Sequence, residues 1–97
     1  MSKKIYISGK ISGEPRNTVW LKFREAEKVI LRQGDTPVNP LNNGLPVDAP
    51  WQQHMRADIT LLLTCDEVLA LPDAQYSPGA TLELYLAERL QIPITHL

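Results

Sequence analysis

Short apolar segments alternate with longer amphipathic ones along the chain. Four apolar runs bounded by turn-forming residues predict β-strands at 3–8, 36–39, 67–71 and 92–96. Between them, apolar residues recur every three or four positions. This spacing predicts three helices. The first is capped by Asn17 or Thr18 and runs to about 33, the second runs from 48 or 49 to about 63, and the third runs from 78 to about 91. The predicted order of elements is β-α-β-α-β-α-β.

This alternation indicates the fold class. Strands that alternate with helices form a parallel sheet with right-handed crossovers and with helices on both faces. We expect residues 1–97 to form a single three-layer α/β/α domain, a truncated flavodoxin-like or Rossmann-like fold with strand order 2-1-3-4. Ligands in such sheets bind beyond the carboxyl ends of the strands, here where the loops 8–16 and 72–79 meet.

Two carboxylates interrupt the apolar stripes of the predicted helices. Asp58 shares its face with Trp51, Met55 and Leu62, and Glu83 shares its face with Ala80, Ala87 and Leu90. An ionised carboxylate is costly to bury unless it is paired or used. The pattern therefore favours a nucleophile, Glu83, and a second carboxylate, Asp58, bordering one pocket.

Each carboxylate also has a purely structural interpretation. Glu83 lies in the first turns of its helix, where the helix dipole favours an exposed acidic side chain. Asp58 can pair with Arg56 or a lysine, or reach a backbone amide.

Further candidates for substrate binding lie on the first strand, in the loops at its carboxyl end and at helix starts. They are Tyr6, Ser8, Gly9, Lys10, Ser12, Arg16, Trp51, Asp73, Ser77 and Gly79. Ser77 is a typical N-cap, and its hydroxyl with the following amides could hold an anion. Trp51 either packs in the core or stacks on a base. Tyr6 either packs in the core or contacts the ligand, and Lys10 and Arg16 are either ligand contacts or solvated charges. The first loop lacks the spacing of a P-loop or a dinucleotide fingerprint.

Composition narrows the classes of function. Ten basic and 11 acidic residues without a basic run argue against binding to a nucleic acid polymer. No apolar stretch reaches the roughly 20 residues that span a bilayer, and the early first strand argues against a signal peptide. Cys65 is the single cysteine, which excludes an internal disulfide and fits the reducing cytoplasm. Because His54 and His96 are far apart in sequence, we expect no metal site.

Apolar residues on the second and third helices exceed what one small sheet needs. They include Leu61, Leu82, Tyr85 and Leu86. Because large exposed apolar patches usually become interfaces, we expect a homodimer or a higher homo-oligomer.

Five segments together resemble the nucleoside 2-deoxyribosyltransferase superfamily, which includes deoxynucleoside monophosphate N-glycosidases. The closest resemblance is to a short branch, a domain of unknown function, found in bacteria and phages. The segments are Tyr6-Ile7-Ser8-Gly9, Asn39-Pro40, Met55-Arg56-Ala57-Asp58-Ile59, Cys65-Asp66-Glu67-Val68 and Ser77-Pro78-Gly79-Ala80-Thr81-Leu82-Glu83.

The resemblance implies an N-glycosidic bond hydrolase or transferase acting on a small (deoxy)nucleoside or nucleoside monophosphate, without a cofactor. Glu83 matches the nucleophile of the superfamily, and Asp58 matches the aspartate beside the reacting sugar and base. Ser77 matches a position that is Asp in the transferases and Ser in the monophosphate hydrolases, which points to a phosphorylated substrate. The chain departs from the hydrolases at Ser12, where they carry a phosphate-binding arginine.

Two other functions fit the same predicted fold. A non-catalytic module that binds or senses a nucleotide would use the same pocket and the same helix start. A flavodoxin-like electron carrier has less support, because the first loop lacks the Ser/Thr-rich segment that grips the phosphate of FMN.

Overall fold

A computed structural model of the chain describes residues 2–97. Within them the elements alternate as β1 (Lys4–Ser8), α1 (Arg16–Arg32), β2 (Thr36–Val38), α2 (Trp51–Leu62), β3 (Glu67–Ala70), α3 (Pro78–Arg89) and β4 (Ile94–His96). Two single-turn 3-10 helices, Pro40–Asn42 and Ala74–Tyr76, lie in the connections that lead to α2 and α3. The predicted α/β order of elements is confirmed.

The strands of the described residues form one parallel sheet in the order β2-β1-β3-β4. Lys4 of β1 lies opposite Thr36 of β2, and Ile5 lies opposite Glu67 of β3. From β1 the chain winds outward to β2, returns across the sheet to β3, and winds the other way to β4. The predicted order 2-1-3-4 is therefore confirmed, and the winding reverses between β1 and β3.

The side chains of β1 divide between the two faces of the sheet. Ile5 and Ile7 pack on one face against α1, in a cluster with Val19, Phe23, Ala26, Ile30, Leu69 and Leu71. Tyr6 packs on the other face, in a cluster with Leu62, Cys65, Val68 and Ala87. Since alternate residues of a strand face opposite sides, one short strand supplies both cores.

Prolines move two helix starts from their predicted positions. Pro15 directly precedes α1, which begins at Arg16 without a side-chain cap and not after Asn17 or Thr18. Pro50 is extended, with a ψ of 145°, so that α2 begins at Trp51 and not near Asp48 or Ala49. Several other predicted helices and strands extend one or two residues beyond the observed ones.

The end of α3 also corrects one prediction about its buried face. Leu90 was predicted to lie on the apolar stripe with Glu83, but it follows the last helical residue and is 55% exposed. The buried residues of α3 are instead Gly79, Ala80, Glu83 and Ala87. Small side chains on either side of Glu83 let this helix lie close to the sheet.

Part of the apolar surface of α2 and α3 stays in contact with solvent. Leu82 and Tyr85 are exposed, whereas Leu61 and Leu86 are half-buried. The homo-oligomer expected from these residues remains a prediction. Each helix within residues 2–97 is too short or too polar to span a lipid bilayer.

Phe23 is fully buried between α1 and the sheet, whereas Trp20 on the same helix is 59% exposed. We expect Phe23→Ala to reduce the free energy of unfolding by about 3–5 kcal/mol, because it removes a large core side chain and leaves a cavity. Trp20→Ala is the matched control and should change it by no more than about 0.5 kcal/mol. Urea unfolding measures both values, and similar losses in the two variants would contradict the described core.

Candidate active site

A pocket of about 230 Å³ opens at the carboxyl end of β1. Its walls come from the loop after β1, the connection from β2 to α2, the inner face of α2 and the first turns of α3. The lining residues are Gly9, Ile11, Ser12, Pro40, Leu41, Asn43, Leu45, Val47, Ala49, Trp51, His54, Met55, Asp58, Ser77, Gly79, Ala80 and Glu83. The pocket thus lies next to the point where the winding of the sheet reverses, which is where sheets of this type bind ligands.

Glu83 lies at the base of this pocket and is held by two hydroxyl groups of β1. The hydroxyl of Tyr6 donates a hydrogen bond of 2.6 Å to Oε2, and the hydroxyl of Ser8 donates one of 2.9 Å to Oε1. Glu83 itself is 5% exposed, and both donors are fully buried. Because a carboxylate oxygen has two lone pairs, each oxygen keeps one that Tyr6 and Ser8 do not use.

Burial raises the pKa of Glu83 from 4.5 to about 7. The hydrogen bonds from Tyr6 and Ser8 act in the opposite direction, and the nearby Asp58 carboxylate raises the pKa further. Burial and the same two carboxylates also raise the pKa of Tyr6, so that this phenol stays protonated and remains a donor. Glu83 therefore changes between its acid and its ionised form near neutral pH, as a reactive carboxyl group can.

Asp58 enters the pocket from α2 and is bonded to the loop opposite. Asn43 donates a hydrogen bond of 2.8 Å from Nδ2 to Oδ1 of Asp58. The same nitrogen lies 3.0 Å from Nδ1 of His54, and Nε2 of His54 lies 3.0 Å from the carbonyl oxygen of Pro46. Burial raises the pKa of Asp58, while Asn43 and His54 act against this rise.

The start of α3 forms another side of the pocket. Ser77 caps the helix by accepting a hydrogen bond of 3.1 Å from the amide of Ala80, and Pro78 occupies the first helical position. A Cβ atom on Gly79 would lie 3.0 Å from Sδ of Met55, so the missing side chain lets α2 and α3 approach each other here. This close approach brings Asp58 and Glu83 to the same pocket.

The structure places most of the predicted site residues in or under the pocket. Gly9, Ser12, Trp51, Ser77 and Gly79 line it together with Asp58 and Glu83. Tyr6 and Ser8 lie directly beneath Glu83. Trp51 is 46% exposed at the pocket wall, and it does not belong to either large core cluster of the described residues.

Three predicted residues lie beside the pocket, outside the lining found in residues 2–97. Arg16 is exposed at the start of α1. Asp73 accepts a hydrogen bond of 3.0 Å from the amide of Lys10, and it pairs with Lys22, which also pairs with Glu14. Burial acts to raise the pKa of Asp73, but the bonds from Lys22 and the Lys10 amide outweigh this effect, so that the pKa is lowered. Asp73 thus ties together the loops that follow β1 and β3.

Two residues of the pocket, Asn43 and His54, were not predicted from the sequence. His54 precedes Asp58 by one helical turn, so the spacing that selected Asp58 also predicts His54 on the same face. Asn43 has no comparable signal, because it lies in an irregular connection whose path the sequence does not show. Among the described residues, no group of three or more His, Cys, Asp or Glu side chains could hold a metal ion.

A family model described as "Domain of unknown function (DUF4406)" matches residues 3–96. The chain belongs to this family. No curated protein matches it significantly. The resemblance to a domain of unknown function, seen in the sequence motifs, is confirmed by this match.

Solved structures with the same fold include two proteins that are named 2-deoxyribosyltransferases, as is the superfamily that the sequence motifs resemble. A 2-deoxyribosyltransferase from Bacillus psychrosaccharolyticus, described as a biocatalyst for nucleoside synthesis, matches 96% of this chain with a TM-score of 0.73 and 21% identity. A 2-deoxyribosyltransferase from Leishmania mexicana matches 98% with a TM-score of 0.72 and 19% identity. A conserved protein from Enterococcus faecalis V583 matches 99% with a TM-score of 0.74 and 22% identity.

The alignments with these three structures cover 70%, 63% and 63% of their respective chains. At these identities the likeness establishes the fold. This DUF4406 domain therefore has the α/β architecture of the 2-deoxyribosyltransferases, as the sequence resemblance implied.

Glu83→Gln should stabilise the domain at neutral pH. The pKa of Glu83 is about 7 in the folded chain and 4.5 ordinarily, so between these values the folded state binds more protons than the unfolded state. The contribution of this group to stability is present below pH 4.5 and is lost as pH rises through about 7. Across that range we expect the wild type to lose about 3 kcal/mol relative to Glu83→Gln.

Urea unfolding at a series of pH values measures this difference. Glu88→Gln on the exposed side of α3 serves as the control, and it should follow the wild type. If the curves for Glu83→Gln and the wild type run parallel, the pKa of Glu83 is not raised by burial.

Proposed function

We propose that this domain cleaves or transfers the N-glycosidic bond of a small (deoxy)nucleoside or nucleoside monophosphate. One observation carries the proposal. Glu83 is held by two buried hydroxyls and lines the same pocket as a second carboxylate, Asp58. Pairs of carboxyl groups with different environments are typical of enzymes that break glycosidic bonds.

In the first step, Glu83 is the nucleophile. The ionised carboxylate attacks the anomeric carbon of the sugar as the bond to the base nitrogen breaks, which gives a glycosyl-enzyme ester. Tyr6 and Ser8 orient the carboxylate by donating to it, and each oxygen retains a lone pair with which to attack. The base nitrogen takes the bonding electrons and a proton from the carboxyl group of Asp58.

In the second step, Asp58 acts as a base. It takes a proton from a water molecule, or from an incoming base, which then attacks the anomeric carbon and releases Glu83. A carboxyl group can serve as both acid and base when its pKa lies near the working pH. Burial raises the pKa of Asp58, which favours its protonated form and supports its role as the acid.

The pocket also has features that suit the rest of a nucleotide. Trp51 presents a half-exposed aromatic ring on which a base can stack, next to the apolar side chains of Leu45 and Val47. The hydroxyl of Ser77 and the amide of Gly79 offer donors to a 5′ phosphate or hydroxyl, and the start of α3 offers a positive dipole end, while the amide of Ala80 is bonded to Ser77. We therefore propose a (deoxy)nucleoside monophosphate as the first substrate to test, with the free nucleoside second.

Base release from deoxynucleotides tests the assignment of Glu83. The protein is incubated with a panel of deoxynucleoside 5′-monophosphates and deoxynucleosides, with and without a second base, and free and exchanged bases are separated by chromatography. Glu83→Gln and Glu83→Ala should each lower the rate by at least about 10³-fold, because they remove the covalent nucleophile. Glu88→Gln should keep the wild-type rate.

The outcome separates the two functions that fit this fold. Tight binding of a nucleotide by the wild type, with no base released or exchanged, would favour a non-catalytic binding or sensing module. Unchanged turnover in Glu83→Gln would contradict the nucleophile assignment.

The pH dependence of turnover tests the role of Tyr6. Because Glu83 reacts as the ionised form, kcat/KM should rise with pH as Glu83 loses its proton, around pH 7, and it should fall again where Asp58 loses the proton that it donates. Tyr6→Phe removes a hydrogen bond that lowers the pKa of Glu83, so the rise should move to higher pH. Tyr85→Phe, at an exposed tyrosine of α3, is the control and should leave the profile in place. A profile that stays unchanged in Tyr6→Phe would show that this hydroxyl does not tune the nucleophile.

A further inference from the structure

The amide group of Asn43 bridges two polar side chains of α2. Its nitrogen carries two hydrogens and has two neighbours, Oδ1 of Asp58 at 2.8 Å and Nδ1 of His54 at 3.0 Å. His54 and Asp58 are four residues apart on the helix, so they lie one above the other on its pocket face. One side chain of the loop thus contacts both.

The loop holds Asn43 firmly in this position. Oδ1 of Asn43 accepts a hydrogen bond of 2.9 Å from the amide of Leu45, and its own backbone amide donates to the carbonyl of Pro40 at 3.2 Å. Pro40 is buried. The side chain amide of Asn43 is therefore oriented by bonds on both its oxygen and its backbone, independently of Asp58.

The second bond of this amide fixes the imidazole of His54. Since Asn43 donates to Nδ1, this nitrogen accepts, and the hydrogen of the neutral ring lies on Nε2. Nε2 then donates to the carbonyl oxygen of Pro46. The segment from Asn43 to Pro46 is thereby joined to α2 at both ends. Its residues Asn43 and Leu45 line the pocket and are called its outer wall here.

Within residues 2–97, Asp58 accepts a hydrogen bond from a single side chain, that of Asn43. Asp58 is 5% exposed. The bond occupies Oδ1, which leaves Oδ2 for the pocket. A carboxyl group with one oxygen held in this way has a fixed plane, whereas a free one rotates about its last side-chain bond.

We propose that Asn43 is a positioning residue that aims the carboxyl group of Asp58 at the substrate and, through His54, fixes the outer wall of the pocket. The role rests on the proposed function, because it acts through the acid and base of that reaction. Loss of the bond should lower kcat more than it raises KM, since the substrate still fits but meets a misdirected proton donor.

Asn43→Asp removes the donated bonds to both Asp58 and His54. The new carboxylate keeps an oxygen for the amide of Leu45, but it has no hydrogens to donate and repels Asp58. We expect kcat for base release to fall by roughly 10-fold to 100-fold and KM to rise by less than kcat falls. The pH profile should also move upward, because the pKa of Asp58 loses a bond that lowers it and gains a like charge.

Asn42→Asp is the matched control, since it adds the same charge at the exposed neighbouring residue. It should keep the kcat and the pH profile of the wild type. Asn43→Ala is the second variant, in case Asn43→Asp does not fold, and it should shift both quantities in the same direction by less. Thermal unfolding of each variant shows whether it is folded.

A double variant tests the bond between Asn43 and Asp58 itself. In Asn43→Asp with Asp58→Asn, the bond is restored with donor and acceptor exchanged, so stability should recover. Base release should stay low, because the carboxyl group is now on the loop. Recovery of turnover together with stability would overturn the proposal.

The remaining outcomes keep the two hypotheses apart. If the wild type releases no base from any nucleotide, the proposed function and this role both fail. If the wild type is active and Asn43→Asp matches Asn42→Asp in kcat and pH profile, the role of Asn43 alone is overturned.

Discussion

The burial of one carboxyl group against two hydroxyls governs how this domain is built around its pocket. Glu83 can lie at 5% exposure because Tyr6 and Ser8 donate to both of its oxygens. Those donors can reach it because the buried face of α3 is otherwise made of glycine and alanine. The balance between desolvation and these two bonds sets the pKa near neutrality. The same burial lowers the stability of the domain at neutral pH, where part of Glu83 is ionised.

Much of the fold follows from patterns visible in the sequence. The alternation of apolar runs with helical periodicity specifies the order of elements, and the rules of parallel crossovers then leave few sheet topologies. The boundaries were less predictable, since Pro15 and Pro50 are both extended residues that directly precede a helix. Neither a capping residue nor an apolar pattern shows at which residue a helix begins when a proline precedes it.

The residues of the candidate site were also predictable only in part. Asp58 and Glu83 were predicted to border one pocket because each breaks an apolar helical stripe, and both line it in the structure. Asn43 could not be predicted, because its position depends on turns and side-chain bonds within an irregular loop. Trp51 had two interpretations from its sequence. An exposed fraction of 46% argues against the core position, and stacking on a base stays a prediction.

The alternation of β1 has a consequence for the fidelity of folding. Tyr6 and Ser8 face α3 while Ile5 and Ile7 face α1. A shift of this strand by one residue along its neighbours would place isoleucine against the carboxyl group of Glu83. It would also bury two hydroxyl groups in the apolar core beneath α1. Such a misaligned sheet would be penalised on both of its faces at once. The hydroxyls that hold Glu83 therefore also disfavour a shift of the central strand by one residue.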